Sequence, residues 1–282
     1  MEYVHKSTLI LLVLLACNSN DVDIPVRQSE ANAIKGYADL YSARIYYEIR
    51  GAGNPLVLLH GGLGPADHFK NNIPEFEKHF KVIIVHTRGH GRSTDNSLPF
   101  SYSSFADELS GLFNYLKIDS AHIMGFSDGG IIGYHFASKY PHKVRKLIAV
   151  GANYLVEGMT EEAINWAKNN LNAKYISKNL PSIRDSFLSL NPKPENFEYY
   201  LRKTRSMWFK DPYISKEELA RISNSVLLVA GDNDVIRLEH MIALHHQIKN
   251  SHLCIVPNAS HDVLNERAEL INKICIDFLS AN

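Results

Sequence analysis

The stretch that decides the fold is residues 121–130, which reads AHIMGFSDGG. Its first half is apolar and strand-like, and residues 131–139 continue with apolar side chains at helical spacing. A chain that passes from strand to helix within a couple of residues turns sharply, and the GxSxG pattern at 125–129 places Ser127 at the apex. A helix that starts directly after Ser127 favours negative charge developing there. We therefore predict that Ser127 is a nucleophile, with a purely structural Gly-Ser turn as the alternative.

Strand-like and helix-like segments alternate on both sides of this turn. Short apolar runs typical of buried parallel strands occupy residues 56–59, 82–85, 144–150, 225–230 and 252–256. Helical spacing occupies residues 69–80 (with a break near Pro74), 103–117, 238–248 and 264–279. One or two further strands are expected within residues 37–50. This order predicts an α/β fold, with a mostly parallel central sheet and helices on both faces.

Residues 153–222 interrupt the alternation, because they are helical in pattern almost throughout. The expected breaks between these helices are Pro181, Pro192, Pro194 and Pro212. A helical insertion of this size between two strands is a candidate lid. Its aromatic residues Trp166, Trp208 and Phe209 could line a pocket, but aromatic side chains in helices belong more often to the core, and that is the expectation here.

Three other loops follow strands and should face the same crevice, because ligands of open α/β sheets gather at the carboxyl ends of the strands. The first is HGGLG at 60–64, where backbone N–H groups can approach a ligand closely. One N–H from this loop and that of Asp128 could stabilise an oxyanion. The alternative for 60–64 is a plain glycine-rich turn. Neither Walker spacing nor GxGxxG is present, so a phosphate site is not indicated.

A serine hydroxyl needs a base to accept its proton, and the base needs a carboxylate to hold its tautomer. His261 follows the last predicted strand, where its loop can reach over the turn at Ser127, and Asp234 follows the strand at 225–230. We therefore predict His261 as the base and Asp234 as the acid, with Asp232 as the competing acid. The main rivals among the 14 histidines are His86, His90 and His135.

Taken together, HGGLG (60–64), TRGHGRS (87–93), GFSDGG (125–130), GDND (231–234) and SH (260–261) resemble the α/β-hydrolase superfamily over about residues 37–282. The resemblance implies Ser127, Asp234 and His261 as catalytic residues, and the amides of Gly62 and Asp128 as the oxyanion hole. The family often has Asp where this chain has His86, at a position that is usually structural. Members with an Asp nucleophile act on epoxides or haloalkanes, and Ser127 argues against both.

The N-terminus carries a different signal. Lys6 is followed by the apolar run 9–16, which is far shorter than the roughly 20 residues that span a bilayer and fits a secretory signal. The run ends in Leu-Leu-Ala-Cys at 14–17, which resembles a bacterial lipobox with Cys17 as the lipidated residue. We expect a lipoprotein signal at 1–17, a tether at 18–36, and an exported protein lipid-anchored in the bacterial cell envelope, at the outer membrane or periplasmic face. An ordinary cleaved signal is the alternative.

Composition limits the partners. The 30 Lys and Arg balance 30 Asp and Glu, so no basic excess indicates nucleic acid. Cys254 and Cys275 lie in apolar runs without metal-ligand spacing, and free buried thiols are expected rather than a disulfide. No metal and no cofactor are expected.

The sequence predicts a hydrolase of small esters or related acyl compounds. The alternatives are cleavage of C–C or amide bonds by the same triad, and a non-catalytic envelope-anchored binding protein.

Overall fold

A computed structural model describes residues 33–64, 67–211 and 213–281. Within these ranges eight strands form one sheet in the order β1-β2-β4-β3-β5-β6-β7-β8. The strands are β1 (Ile34–Leu40), β2 (Ala43–Arg50), β3 (Pro55–Leu59), β4 (Lys81–Val85), β5 (Ala121–Phe126), β6 (Val144–Val150), β7 (Ser225–Gly231) and β8 (Ser251–Val256). The strands from β3 to β8 pair in parallel, whereas β1 and β2 pair antiparallel at one edge.

Helices follow the strands and cover the sheet. Those that alternate with strands are α1 (Ile73–Phe76), α2 (Tyr102–Leu116), α3 (Asp128–Lys139), α9 (Leu238–Gln247), α10 (Val263–Glu266) and α11 (Ala268–Ser280). Two buried apolar clusters flank the sheet, one packed against α2 and α3 and the other against α1, α10 and α11. The predicted α/β fold, a mostly parallel sheet between helices, is confirmed.

The insertion between β6 and β7 consists of α4 (Glu161–Asn170), α5 (Ala173–Asn179), α6 (Pro181–Leu190), α7 (Phe197–Lys210) and α8 (Lys216–Ala220). Local signals set several of its boundaries. Thr160 and Asn172 cap α4 and α5 through their side-chain oxygens. Pro181 begins α6 at the position where a missing N–H costs nothing. The helical character expected of residues 153–222 is therefore present in the part of the insertion that the structure describes.

Three boundaries differ from the sequence expectation. β1 begins at Ile34, inside the segment expected to be a tether, because residues 34–40 pair in antiparallel register with β2. The helix expected over 69–80 is only the short α1, which starts beside Pro74. The closing helix is divided into α10 and α11 at Arg267, whose φ of −128° is not helical.

The thiols of Cys254 and Cys275 are free in the structure; Cys275 is buried as expected, whereas Cys254 is half-buried. In the described ranges no helix is both long and apolar enough to cross a bilayer. The lipoprotein signal, Cys17 and most of the expected tether lie outside the described residues.

Candidate active site

Ser127 lies between the last residue of β5 and the first residue of α3, at the carboxyl edge of the sheet. Its φ of 51° and ψ of −118° are unusual for a residue with a side chain, so the turn is strained. The N–H of Ser127 donates to the Val150 carbonyl at 2.7 Å, which fastens the turn to β6. A Cβ at Gly125 would collide with the Gly129 backbone, and a Cβ at Gly129 would collide with the Leu59 carbonyl. Both flanking glycines are therefore required by backbone contacts.

The structure brings Ser127, His261 and Asp234 into one hydrogen-bonded chain. His261 Nε2 lies 3.1 Å from Ser127 Oγ, and His261 Nδ1 lies 2.7 Å from Asp234 Oδ1. Because an ionised carboxylate only accepts hydrogen bonds, Nδ1 carries the proton and Nε2 is free to accept from the serine hydroxyl. The Asp234 side chain is fully buried, and that of His261 is 18% exposed. Burial lowers the pKa of His261, but the Asp234 carboxylate outweighs it and raises the pKa above the ordinary 6.5.

The competing residues are held elsewhere. Asp232 is exposed, and its Oδ1 accepts from the Ala259 N–H and the Asn233 amide, so it stabilises its own loop. His86 Nδ1 accepts from the Arg92 N–H. His90 Nε2 donates to the Gly62 carbonyl, and its Nδ1 accepts from the Thr87 hydroxyl. His135 is buried in α3.

Gly151 makes room for the imidazole of His261. It follows β6 with a φ of +57°, and a Cβ there would lie 2.9 Å from both Nδ1 and Cε1 of His261. Glycine is the residue that meets both demands, because it adopts positive φ without strain and leaves no side chain facing the imidazole.

The loop at 60–64 is organised by histidines. The Thr87 N–H donates to His60 Nε2 at 3.1 Å, which leaves the proton on Nδ1, and Nδ1 donates to the Gly61 carbonyl at 2.7 Å. Burial lowers the pKa of His60 to about 4, so the ring stays neutral at neutral pH. Gly61 is also held through its N–H, which donates to His68 Nδ1 at 3.2 Å. His68 also packs against Phe126, whose ring lies 4.9 Å from that of His261.

Asp128, the residue after Ser127, carries a buried carboxyl group held by two neutral donors. Tyr102 Oη donates to Oδ1 at 2.9 Å, and Trp208 Nε1 donates to Oδ2 at 2.8 Å. Burial raises the pKa of Asp128 to about 6, although the bonds from Trp208 and Tyr102 act in the opposite direction. A carboxylate is therefore kept close to the serine, but only above that pH is it fully charged.

This raised pKa makes protein stability depend on pH. Between the ordinary value of 3.8 and about 6, the folded chain retains a proton that the unfolded chain has lost. The stabilisation contributed by protonated Asp128 is thus present below pH 3.8 and is lost as the pH rises through 6. We expect the Tm of Asp128→Asn, relative to that of the unaltered protein, to rise between pH 4 and 6 and then level off. Thermal unfolding across that range tests it, and a Tm difference independent of pH contradicts it.

A cavity of about 110 Å³ opens beside Ser127 and His261. Its apolar wall is formed mainly by Leu63, Met159, Ala163, Trp166, Val235 and Ile236. Asp128, Tyr102 and Asn153 supply polar groups. Trp166 and Trp208 both line this cavity and also pack against the core, so each fills the two roles that the sequence expectation treated as alternatives. Phe209 is half-buried and lies beneath Lys168 instead.

Sequence reasoning did not identify His68, Tyr102, Gly151 or Tyr200 as parts of this region. Tyr200 Oη donates to the Gly62 carbonyl at 2.8 Å. Of the four, only Gly151 had a usable signal, since it directly follows a predicted strand as the other site loops do. The remaining three lie in helices or turns whose inward faces depend on packing between distant segments.

Residues 54–268 match the family model of the α/β hydrolase fold. The chain belongs to the α/β-hydrolase family. The sequence prediction of this family, and of a hydrolase within it, is confirmed.

Several named relatives of this α/β-hydrolase cover most of its length. It is 26% identical over 260 residues to the 2-hydroxy-6-oxo-2,4-heptadienoate hydrolase of Pseudomonas putida, covering 82% of this chain and 91% of that one. It is 28% identical over 255 residues to the human serine hydrolase BPHL, covering 84% of this chain and 83% of that one.

Solved structures share the fold. A meta-cleavage product hydrolase from Pseudomonas fluorescens superposes with a TM-score of 0.70 at 20% identity, covering 86% of this chain and 97% of that one. Naproxen esterase from Bacillus subtilis gives 0.69 at 20% identity, with 88% and 92% covered. At these identities the likeness establishes the architecture of the α/β-hydrolase.

Proposed function

We propose that this α/β-hydrolase is a serine hydrolase of small esters or related acyl compounds. The observation that carries the proposal is the continuous hydrogen-bonded chain from Ser127 through His261 to Asp234, which opens onto a mainly apolar cavity. The three residues come from the carboxyl ends of different strands, so only the folded chain assembles them. A buried acid, a base with a raised pKa and a strained serine are what a nucleophilic mechanism requires.

In the proposed reaction, Ser127 Oγ attacks the carbonyl carbon of the ester while His261 Nε2 takes the hydroxyl proton. The N–H groups of Gly62 and Asp128 hold the negative oxygen of the tetrahedral intermediate, and one such donor is worth about 3 kcal/mol of the barrier. His261 then gives its proton to the departing alcohol, leaving an acyl group on Ser127. Water, deprotonated by His261, attacks this acyl-enzyme; His261 then returns that proton to Ser127 Oγ as the acid is released, which restores the free enzyme. Asp234 orients the imidazole throughout.

Cleavage of a C–C bond by the same residues is the second candidate. The relative from Pseudomonas putida supports it, because the 2-hydroxy-6-oxo-2,4-heptadienoate in its name has no ester or amide bond to hydrolyse. The same geometry fits both reactions, because each begins at a carbonyl group beside Ser127 in a mainly apolar cavity. Amide bonds remain an alternative for the same triad.

Labelling with a fluorophosphonate tests the proposal directly. The probe should modify Ser127, and Ser127→Ala should abolish both labelling and turnover of short p-nitrophenyl esters. A dienoate supplied in parallel separates C–C cleavage from ester hydrolysis. Labelling that persists in Ser127→Ala contradicts the assignment of the nucleophile. No labelling and no turnover in the unaltered protein would favour the non-catalytic, envelope-anchored binding protein.

We also propose that Cys17 is lipidated and anchors the enzyme in the bacterial cell envelope, at the outer membrane or periplasmic face. The support is the short apolar run ending in Leu-Leu-Ala-Cys at 14–17. The protein should incorporate a labelled fatty acid in bacterial cells and fractionate with membranes, and Cys17→Ser should lose both properties. Unchanged fatty-acid incorporation in Cys17→Ser contradicts the proposal.

A further inference from the structure

Helix α7 of the insertion reaches both residues whose amides are proposed as oxyanion donors. Tyr200 Oη donates to the Gly62 carbonyl at 2.8 Å, and two turns further along the helix Trp208 Nε1 donates to Asp128 Oδ2 at 2.8 Å. Gly62 follows β3 and Asp128 begins α3, so their positions depend on separate parts of the fold. One helix therefore ties these two parts together.

At Gly62 the peptide units on both sides are held. The unit that carries the Gly62 N–H is fixed through the Gly61 carbonyl, which accepts from His60 Nδ1 at 2.7 Å. The unit after it is fixed through the Gly62 carbonyl, which accepts from Tyr200 and from His90 Nε2, the latter at 3.2 Å. His60 and His90 belong to the body of the fold, whereas Tyr200 belongs to the insertion.

Trp208 and the Asp128 carboxylate both pack against Gly62. A Cβ added to Gly62 would collide with Asp128 Oδ2 and lie 2.8–2.9 Å from the Trp208 indole. The Trp208 indole and the Asp128 carboxylate are thus in direct contact with the Gly62 backbone. Tyr102 holds the other oxygen of Asp128 at 2.9 Å, so the carboxylate is clamped between α2 and α7.

Helix α7 is itself fastened to the body of the fold at two further points, one between these contacts and one beyond them. Lys203, which is only 7% exposed, pairs with Asp95 at 2.6 Å. Asp211, which follows the helix, accepts from the Tyr102 N–H at 2.5 Å. The contacts that hold the insertion against the body of the fold therefore also position Tyr200 and Trp208.

We propose that Tyr200 and Trp208 are positioning residues for the oxyanion hole. Helix α7 then contributes to stabilisation of the transition state in addition to forming part of the cavity wall. The inference rests on the proposed serine hydrolase function. Loss of an oxyanion donor costs on the order of 10²–10³ in kcat, and misorientation of a donor that remains present should cost a part of that. We expect Tyr200→Phe and Trp208→Phe each to lower kcat about 10-fold.

The test compares these variants with Tyr199→Phe, a matched control on the same helix whose hydroxyl donates to the Ser97 carbonyl at an exposed site. For each protein, kcat and KM are measured on one p-nitrophenyl ester, together with the affinity for a trifluoromethyl ketone, which forms a tetrahedral adduct. Transition-state analogues report interactions that strengthen in the transition state. Thermal unfolding gives the folded fraction, to which kcat is normalised.

The expected result is a lower kcat and a proportionally weaker ketone affinity in Tyr200→Phe and Trp208→Phe, with KM changed less than kcat and Tyr199→Phe unaffected. Unchanged kcat in both variants overturns the inference, and so does a rise in KM alone, which would make the two residues cavity walls only. Both of these outcomes leave the serine hydrolase intact. Failure of the proposed function would instead appear as absent turnover in the unaltered protein.

Discussion

Replacing Asp234 by Asn should lower kcat about 10⁴-fold on an ester substrate. Asp234 Oδ1 accepts from His261 Nδ1 at 2.7 Å and also from the Ile236 N–H at 2.9 Å. Asparagine lacks the negative charge that stabilises the imidazolium formed when His261 takes the serine proton. If its NH₂ turns toward His261, it also gives up the bond from the Ile236 N–H and places the imidazole proton on Nε2, the atom that must accept from Ser127. Steady-state kinetics at pH 8 measure the effect.

Asp232→Asn is the matched control, because Asp232 lies two residues away and its Oδ1 accepts from Asn233 and Ala259 instead of from His261. It should keep kcat within about 3-fold, as expected of an exposed substitution. A severe loss in Asp232→Asn together with normal kcat in Asp234→Asn would show that the acid was wrongly assigned.

Replacing Gly129 by Ala should lower the free energy of unfolding by about 3 kcal/mol, the upper range for overpacking. The new Cβ would collide with the carbonyl groups of Leu59 and His60, which are backbone atoms that cannot rotate away. The helix α3 must therefore move off the end of β3, and Ser127 moves with it relative to the loop at 60–64. A displacement of about 1 Å costs about 10²-fold in rate, so kcat should also fall by about that factor.

Gly133→Ala provides the comparison within the same helix. The atoms nearest to its Cβ would belong to the Leu147 side chain, which can change rotamer, and alanine is favoured over glycine in a helix by about 1 kcal/mol. Denaturant unfolding should thus find Gly133→Ala close to the unaltered protein and Gly129→Ala well below it. Equal stability of the two variants would show that the tight turn tolerates a side chain.

The sequence predicted the sheet because its parallel strands are buried on both faces and read as short apolar runs, such as residues 82–85. It also indicated the residues that meet at the carboxyl edge, since Ser127, Asp234 and His261 each follow such a run. Both predictions depend on local sequence, because each catalytic side chain lies within a few residues of the end of an apolar strand.

The second layer of the site could not be found in this way. Tyr200 and Trp208 lie in an amphipathic helix, and nothing in its spacing tells which inward-facing aromatic touches the core and which touches the cavity. Their contacts with Gly62 and Asp128 join segments far apart in the chain. The start of β1 was missed for a related reason, because residues 34–36 become a strand through pairing with β2 and not through an apolar run.

The free thiol of Cys275 has a practical consequence. It is fully buried in α11, and burial raises its pKa, so the reactive thiolate is scarce while the helix stays in place. An alkylating reagent dissolved in water should modify Cys275 only when the C-terminal segment transiently detaches from the sheet, whereas half-buried Cys254 offers a faster internal reference. The alkylation rate of Cys275 thus records how often this end of the molecule opens, without any engineered label.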